Sequence, residues 1–127
     1  MANVVKHVKV SGFTEYLRAV QQYKDSSLHL FTLFTGSLDA DGKSWCPDCN
    51  KADPVIEEAL NSAPECTCVI TAYIDRPTWK DMNNNFRKSQ DIQLTSIPTL
   101  IKVGTEKRLE EGQCAKLSLV QMLLEDD

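Results

Sequence analysis

The sequence predicts an α/β protein in which a central mixed β-sheet carries helices on both faces, built as one domain over residues 1–127. Apolar runs of strand length alternate with segments of helical periodicity, in the order strand, helix, strand, helix, strand, helix, strand, strand, helix. The run at residues 28–34 is almost continuously apolar, which is typical of a parallel strand buried on both faces. A glycine turn between the last two strands predicts a hairpin, so the sheet should be mixed.

The N-terminal part predicts an edge strand, a helix and a buried strand. Residues 4–10 alternate valines with lysine and histidine, which favours a strand at the sheet edge. Ser11 is expected to cap a helix that ends near residue 24, because apolar side chains recur there at helical spacing. After the buried strand at residues 28–34, the polar segment 35–44 lacks periodicity and predicts an exposed loop.

The middle of the chain predicts a helix and then a strand. Proline suits the first helical position, so the helix is expected to begin at Pro47. Pro54 lies inside the same pattern and predicts a kink. The buried stripe of this helix should contain Cys49, Ala52, Ile56, Ala59, Leu60 and Ala63. Residues 67–74 are apolar and β-branched, and we expect them to form the central strand.

The C-terminal part predicts a short helix, a hairpin and a final helix. Residues 76–91 are polar, with Trp79, Met82 and Phe86 as expected apolar anchors of one short helix. Residues 97–103 predict a strand that a turn at residues 104–105 leads back towards residues 107–109. The last helix is expected over residues 117–124.

Composition and charge exclude several classes of function. The net charge of −4 and the pI near 5.1 provide no basic surface for nucleic acid. No apolar stretch reaches the length of a membrane span, and the N-terminus lacks an apolar signal region, so we expect a cytoplasmic protein. The five cysteines are an odd number, which argues against a full disulfide framework and favours thiol chemistry or a metal site.

The chemistry is predicted at the turn before the second helix, whose sequence is Trp45-Cys46-Pro47-Asp48-Cys49. Unpaired amides and the helix dipole at a helix N-terminus stabilise a thiolate, so Cys46 is the expected attacking nucleophile. Cys49, one turn further along, would attack the mixed disulfide and release the reduced product. Pro47 restricts the loop and Asp48 places a negative charge near both sulfurs, so both are expected to tune the redox properties.

A zinc site is an alternative interpretation of the same spacing, because zinc sites also use pairs of cysteines. Cys66 and Cys68 could supply the second pair. The intervening helix would separate the pairs by roughly 25 Å at 1.5 Å per residue, which argues against zinc. We expect Cys66, Cys68 and Cys114 to be small apolar residues, with a regulatory or intermolecular disulfide as the alternative.

The chain resembles the thioredoxin superfamily. The resemblance lies in the Trp-Cys-x-x-Cys segment, in Pro54 within the following helix and in the step Ile97-Pro98-Thr99. It implies the thioredoxin fold, a tryptophan at Trp45 that shields the dithiol and offers a contact surface, and a cis-proline at Pro98. Ile97 and Pro98 would then form the ledge along which an extended substrate segment binds.

More narrowly, the chain resembles the thioredoxin domain-containing protein 17 family. The shared segments are Thr35-Gly36-Ser37, residues 42–49, Pro77-x-Trp79-Lys80-Asp81 and Asn84-x-Phe86-Arg87-Lys88. The resemblance implies a monomeric, peroxidase-independent disulfide reductase of the cytoplasm that needs no bound metal or cofactor and receives electrons from NADPH through thioredoxin reductase. Implied substrates are small disulfides such as cystine, nitrosylated or glutathionylated thiols and selected proteins, and a dynein light chain is an implied partner.

One departure from thioredoxin concerns the resolving cysteine. Thioredoxins bury a carboxylate that helps to deprotonate it, whereas residues 28–34 contain no acid. Asp39, Asp41 and Asp48 are the nearest acids in sequence, and water is another candidate. The main alternative function is a redox-regulated adaptor that binds a partner protein without turnover.

Overall fold

A computed structural model describes residues 5–26 and 29–125 and contains one five-stranded sheet. The first half comprises β1 Val5–Ser11, α1 Phe13–Tyr23, β2 His29–Gly36, α2 Pro47–Asn61 and β3 Thr67–Ile74. The second half comprises α3 Arg76–Lys80, α4 Asn85–Lys88, β4 Thr99–Lys102, β5 Arg108–Glu110, a 3-10 turn Glu111–Ala115 and α5 Leu117–Glu125. The predicted starts of the first two strands, Val4 and Leu28, fall outside the described residues.

The sheet is mixed, as predicted, with the strand order β1-β3-β2-β4-β5. β1 and β2 both pair in parallel with β3, whereas β4 pairs antiparallel with β2 and with β5. The edge position of β1 is confirmed. The prediction that residues 67–74 form the central strand is wrong, because β2 is central and β3 lies between it and β1. Both strands are apolar on both faces, so their composition does not show which of them lies at the centre of the sheet.

Successive β2 side chains point to opposite faces and meet different helices. On one face, Leu30 and Phe34 pack with Tyr16 of α1 and Phe86 of α4. The ring centroids of Tyr16 and Phe34 lie 5.1 Å apart, within the range of favourable aromatic pairs. On the other face, Phe31 and Leu33 pack against a cluster of α2 and α5 residues: Ala52, Ile56, Ala59, Leu60, Val120, Leu123 and Leu124. Helices therefore cover both faces. The predicted buried stripe of α2 is confirmed except for Ala63, which is buried but lies beyond the end of the helix.

The start of α1 differs from the prediction. Ser11 is the last residue of β1, and the N-cap of α1 is Gly12 at φ 85°, without a side-chain cap. Glycine adopts this left-handed conformation without the steric cost of a side chain. The Glu15 carboxylate instead accepts the Ser11 N–H at 3.0 Å.

The segment after β3 forms two short helices rather than one. α3 begins where Asp75 accepts the Thr78 N–H at 2.8 Å, and α4 begins where Asn84 accepts the Arg87 N–H at 3.0 Å. Met82, predicted as an anchor, is 69% exposed and lies between the two helices. Within the described residues, none of the helices has the length and apolar character needed to span a membrane.

Candidate active site

The two cysteines of the dithiol lie where β2 and its following loop lead into α2. Cys46 is the N-cap of α2, Pro47 occupies its first turn, and Cys49 lies one turn inside. α2 continues through Pro54, and the predicted kink there stays a prediction. Both cysteines are free thiols in this structure. The geometry therefore places Cys46 beside the unpaired amides of the first helical turn, as the sequence predicts.

The two sulfurs have different access to solvent. Cys46 is 7% exposed, whereas Cys49 is fully buried at 0%. Desolvation by burial is the main cause that raises the pKa of Cys49 to about 12, and the hydrogen bond with Cys46 raises it further. At neutral pH Cys49 therefore keeps its proton. Because Cys49 is fully buried, Cys46 is the sulfur that an external disulfide can reach.

Two groups at the end of β2 lower the pKa of Cys49. The Gly36 N–H donates a hydrogen bond to Cys49 Sγ at 3.4 Å. The nearby Thr35 hydroxyl and this N–H both lower the pKa of Cys49 against the effect of burial. Of the acids nearest in sequence, Asp39 serves elsewhere, since its carboxylate accepts the N–H groups of Asp41 and Lys43 in the exposed loop.

The loop before the dithiol is fastened to α2 by Asn50. The Asn50 side chain accepts the Ser44 N–H and donates to the Ser44 carbonyl, each at 2.9 Å. The Ser44 hydroxyl donates to the Gly36 carbonyl at 2.9 Å and accepts the Cys46 N–H at 3.1 Å. A Cβ on Gly36 would lie only 2.5 Å from Ser44 Oγ, so a glycine is required there. These contacts hold the backbone of Cys46 against the end of β2.

Trp45 is half-buried beside the dithiol, and its indole N–H donates to the Ile74 carbonyl at the end of β3, at 3.0 Å. This bond fixes the ring at the end of β3. Pro47 and Asp48 are exposed on the first turn of α2, where a binding partner can reach them.

The ledge residues Ile97 and Pro98 lie close to Cys46. The Ile97–Pro98 peptide bond is cis, as the resemblance implies. The Cys46 thiol lies 3.9 Å from the Ile97 carbonyl oxygen, which brings the predicted ledge into contact with the dithiol. Behind the ledge, the Cys114 thiol lies 3.7 Å from the Pro98 carbonyl oxygen.

The remaining cysteines have different environments. Cys68 and Cys114 are fully buried, and burial raises the pKa of Cys114 to about 12, so the small apolar interpretation is confirmed for both. It is wrong for Cys66, which is exposed at φ 67° in the turn before β3. α2 lies between the Cys46–Cys49 pair and the Cys66–Cys68 pair. Among the described residues, no group of three or more His, Cys, Asp or Glu side chains could hold a metal ion.

Four residues of the site were given no role by the sequence analysis: Thr35, Gly36, Ser44 and Asn50. The first three fall in the segment expected to be an exposed loop, but Thr35 is 2% and Ser44 8% exposed, and β2 continues to Gly36. Asn50 is exposed on α2 and had no apolar or catalytic signature. The signal that could have found it is a short polar side chain in the first turns of a helix, which commonly bonds neighbouring backbone.

Comparisons with known proteins agree with this arrangement. The family described as thioredoxin domain-containing protein 17-like, thioredoxin domain, matches residues 9–126. Thioredoxin domain-containing protein 17 of Homo sapiens is 46% identical over 123 residues, which cover 96% of this chain and 97% of that protein. Its Mus musculus counterpart is 43% identical over the same share of each chain. The crystal structure of oxidised thioredoxin O1 from Arabidopsis thaliana has a TM-score of 0.56 at 23% identity, covering 95% of this chain and 99% of that one, and it supports the thioredoxin fold.

Proposed function

This chain belongs to the thioredoxin domain-containing protein 17-like family of thioredoxin domains, whose general chemistry is thiol–disulfide exchange, and we propose that it is a disulfide reductase with Cys46 as nucleophile and Cys49 as resolving thiol. The observation that carries the assignment of roles is the unequal exposure of the two cysteines, 7% for Cys46 and 0% for Cys49. The exposed edge of Cys46 at the N-terminus of α2 suits attack on an external disulfide. The buried Cys49 suits an internal second attack.

The proposed reaction has two exchange steps. The Cys46 thiolate attacks one sulfur of the substrate disulfide, so a Cys46–substrate bond forms, the substrate S–S bond breaks and one substrate thiolate leaves. Cys49 then loses its proton and attacks Cys46 Sγ. The Cys46–Cys49 disulfide forms, and the second substrate thiolate leaves. The protein dithiol has lost two electrons and two protons, which the two substrate thiols have gained.

The surroundings of Cys46 suggest how a substrate is held. The Ile97 carbonyl, next to the Cys46 sulfur, is a backbone acceptor for an extended segment lying along Ile97 and Pro98. Trp45, fixed through its indole N–H, offers a flat apolar surface next to Cys46. Asp48 adds a negative charge at the helix N-terminus and, with the conformational restriction of Pro47, tunes the redox potential.

The finer assignment is a cytoplasmic, monomeric enzyme that acts on cystine, on nitrosylated or glutathionylated thiols and on selected protein disulfides. Thioredoxin reductase would return electrons from NADPH to the Cys46–Cys49 disulfide. This assignment extends the likeness to the relatives at 43–46% identity to the substrates and the reductase. The small exposed fraction of Cys46 supports a preference for small or extended disulfides over disulfides within folded surfaces.

A reductase-coupled assay tests the proposal. Purified protein, thioredoxin reductase and NADPH are mixed with cystine, and NADPH oxidation is followed by the loss of its absorbance. We expect turnover that falls to background in Cys46→Ser. Cys66→Ser is the matched control, because Cys66 is an exposed thiol outside the dithiol turn, and it should keep full activity.

The same protein preparations distinguish the adaptor alternative. No NADPH oxidation by the unmodified protein, together with binding of a dynein light chain that persists in Cys46→Ser, would contradict the reductase and support an adaptor. Turnover that survives in Cys46→Ser would reject the assignment of the nucleophile.

A further inference from the structure

The second exchange step needs a thiolate at Cys49, but the buried environment of this residue disfavours a thiolate. Burial raises the pKa of Cys49 to about 12. Among the residues that the structure describes, Cys46 is the titratable group that acts on Cys49 electrostatically, and no carboxylate contributes. Asp53, further along α2, raises the pKa of Tyr73, which pairs with Thr35 on β3, and neither is among the groups that shift the pKa of Cys49. Resolution therefore needs a neutral group that stabilises the anion.

Thr35 has the position and the chemistry for this task. Along β2, side chains of Phe31, Leu33 and Thr35 share the face that packs against α2. Thr35 is 2% exposed, and its hydroxyl has no hydrogen-bond partner among the described residues. Buried hydroxyls in folded proteins are ordinarily paired, so an unpaired one calls for a reason. Cys49 lies close to it, because the N–H of the next residue, Gly36, donates to Cys49 Sγ at 3.4 Å and the Thr35 hydroxyl lowers the pKa of that thiol.

We propose that the Thr35 hydroxyl is a catalytic group that donates a hydrogen bond to the Cys49 thiolate as it forms, together with the Gly36 N–H. A hydroxyl can accept from a thiol and, after rotation, donate to a thiolate, so one side chain serves both states. The Gly36 N–H already points at the sulfur at 3.4 Å. Two donors aimed at one developing charge in a site closed to water stabilise it without reorganisation.

This inference rests on the proposed function and concerns its second step. The proton of Cys49 ends on the departing substrate thiolate, Cys49 Sγ bonds to Cys46 Sγ, and the Cys46–substrate bond breaks. Thr35 keeps its own proton throughout. Its effect should therefore appear in resolution and be absent from the first attack by Cys46.

A bis(nitrobenzoate) disulfide separates the two steps, because each step releases one coloured nitrobenzoate thiolate. The reduced protein is mixed rapidly with one equivalent of this probe, and absorbance is followed in time. In Thr35→Val, which keeps the shape and removes the hydroxyl, we expect an unchanged first phase and a second phase slower by roughly tenfold, the loss typical of a hydrogen bond to a charged group. The pH profile of the second phase should move up by about one unit, since tenfold corresponds to one unit of pKa.

The same strand provides a matched control. Thr32 is also fully buried with an unpaired hydroxyl, but it lies on the opposite face of the sheet, where it affects the pKa of Tyr16 and not that of Cys49. Thr32→Val should leave both phases unchanged, and Thr35→Ser, which restores a hydroxyl, should recover most of the second-phase rate. Urea unfolding of each variant confirms that the proteins compared are folded.

The outcomes separate this inference from the proposed function. An unmodified protein that releases no first thiolate contradicts the reductase assignment itself. A normal first phase with an unchanged second phase in Thr35→Val overturns the role of Thr35 alone. Equal slowing by Thr32→Val, or no recovery in Thr35→Ser, would also overturn it, because either result points to a packing effect.

Discussion

Replacing Gly36 by alanine should destabilise the protein by inserting a methyl group between β2 and the loop that carries the dithiol. The new Cβ would lie 2.5 Å from Ser44 Oγ and 3.0 Å from the Trp45 ring atoms Cε2 and Nε1. The Ser44 hydroxyl cannot move away freely, because it bonds both the Gly36 carbonyl and the Cys46 N–H. The contact must therefore break these bonds or shift the loop.

The expected loss in the free energy of unfolding is about 3 kcal/mol. Overpacking costs about 1 kcal/mol at the low end of its range, and each of the two hydrogen bonds of Ser44 contributes about 1 kcal/mol. The free energy is measured by urea unfolding followed by circular dichroism. Gly112→Ala is the matched control, because a Cβ there meets no atom within 4 Å, and its stability should stay within about 0.5 kcal/mol of the unmodified protein.

A double-mutant cycle identifies the atom responsible. Ser44→Ala alone should cost about 2 kcal/mol for its two hydrogen bonds. If Ser44 Oγ is the obstacle, the double variant Gly36→Ala, Ser44→Ala should cost about 2 kcal/mol less than the sum of the two single variants. Additive costs, or a Gly36→Ala protein as stable as the unmodified one, would refute the reasoning.

Three further predictions concern the elements around the site. Asn50→Ala should speed hydrogen exchange of the Ser44 amide by roughly tenfold, because the Asn50 side chain accepts that N–H. An unchanged rate would contradict the role of Asn50 in holding the loop to α2. Burial raises the pKa of Asp53 above its unfolded value, so its ionisation opposes folding at neutral pH. Asp53→Asn should therefore raise Tm at pH 7, and the gain should vanish below the unfolded pKa of about 4, where both states are protonated. The hydrogen bonds of Thr78 lower the pKa of Asp75, so the ionisation of Asp75, unlike that of Asp53, stabilises the folded protein at neutral pH. Asp75→Ala should cost about 1 kcal/mol at pH 7, and this cost should disappear as the pH falls through the lowered pKa and Asp75 becomes protonated.

The regular elements were predictable because each depends on local pattern. The apolar stripe of α2 follows from its spacing, and its start at Pro47 follows from the tolerance of the first turn for proline. Boundaries were less predictable where two local signals compete. Ser11 has the side chain of a helix cap, yet β1 extends through it because its backbone pairs with Tyr73 of β3. Met82 is apolar, but it lies in the turn between α3 and α4, where no core is within reach.

The amino-acid sequence by itself determined the dithiol, its place at a helix N-terminus and the family, because these depend on residues close together in the chain. Only the tertiary structure decided which groups surround the sulfurs. Gly36 meets Cys49 across 13 positions, and Ile97 meets Cys46 across 51. Such contacts arise from the pairing of β2 with β3 and β4 and from the packing of α2 on the sheet, and no periodicity within one segment encodes them. Whether Cys49 can release its proton is therefore a property of the assembled fold, since the neighbours that stabilise its charge are brought to it by other elements.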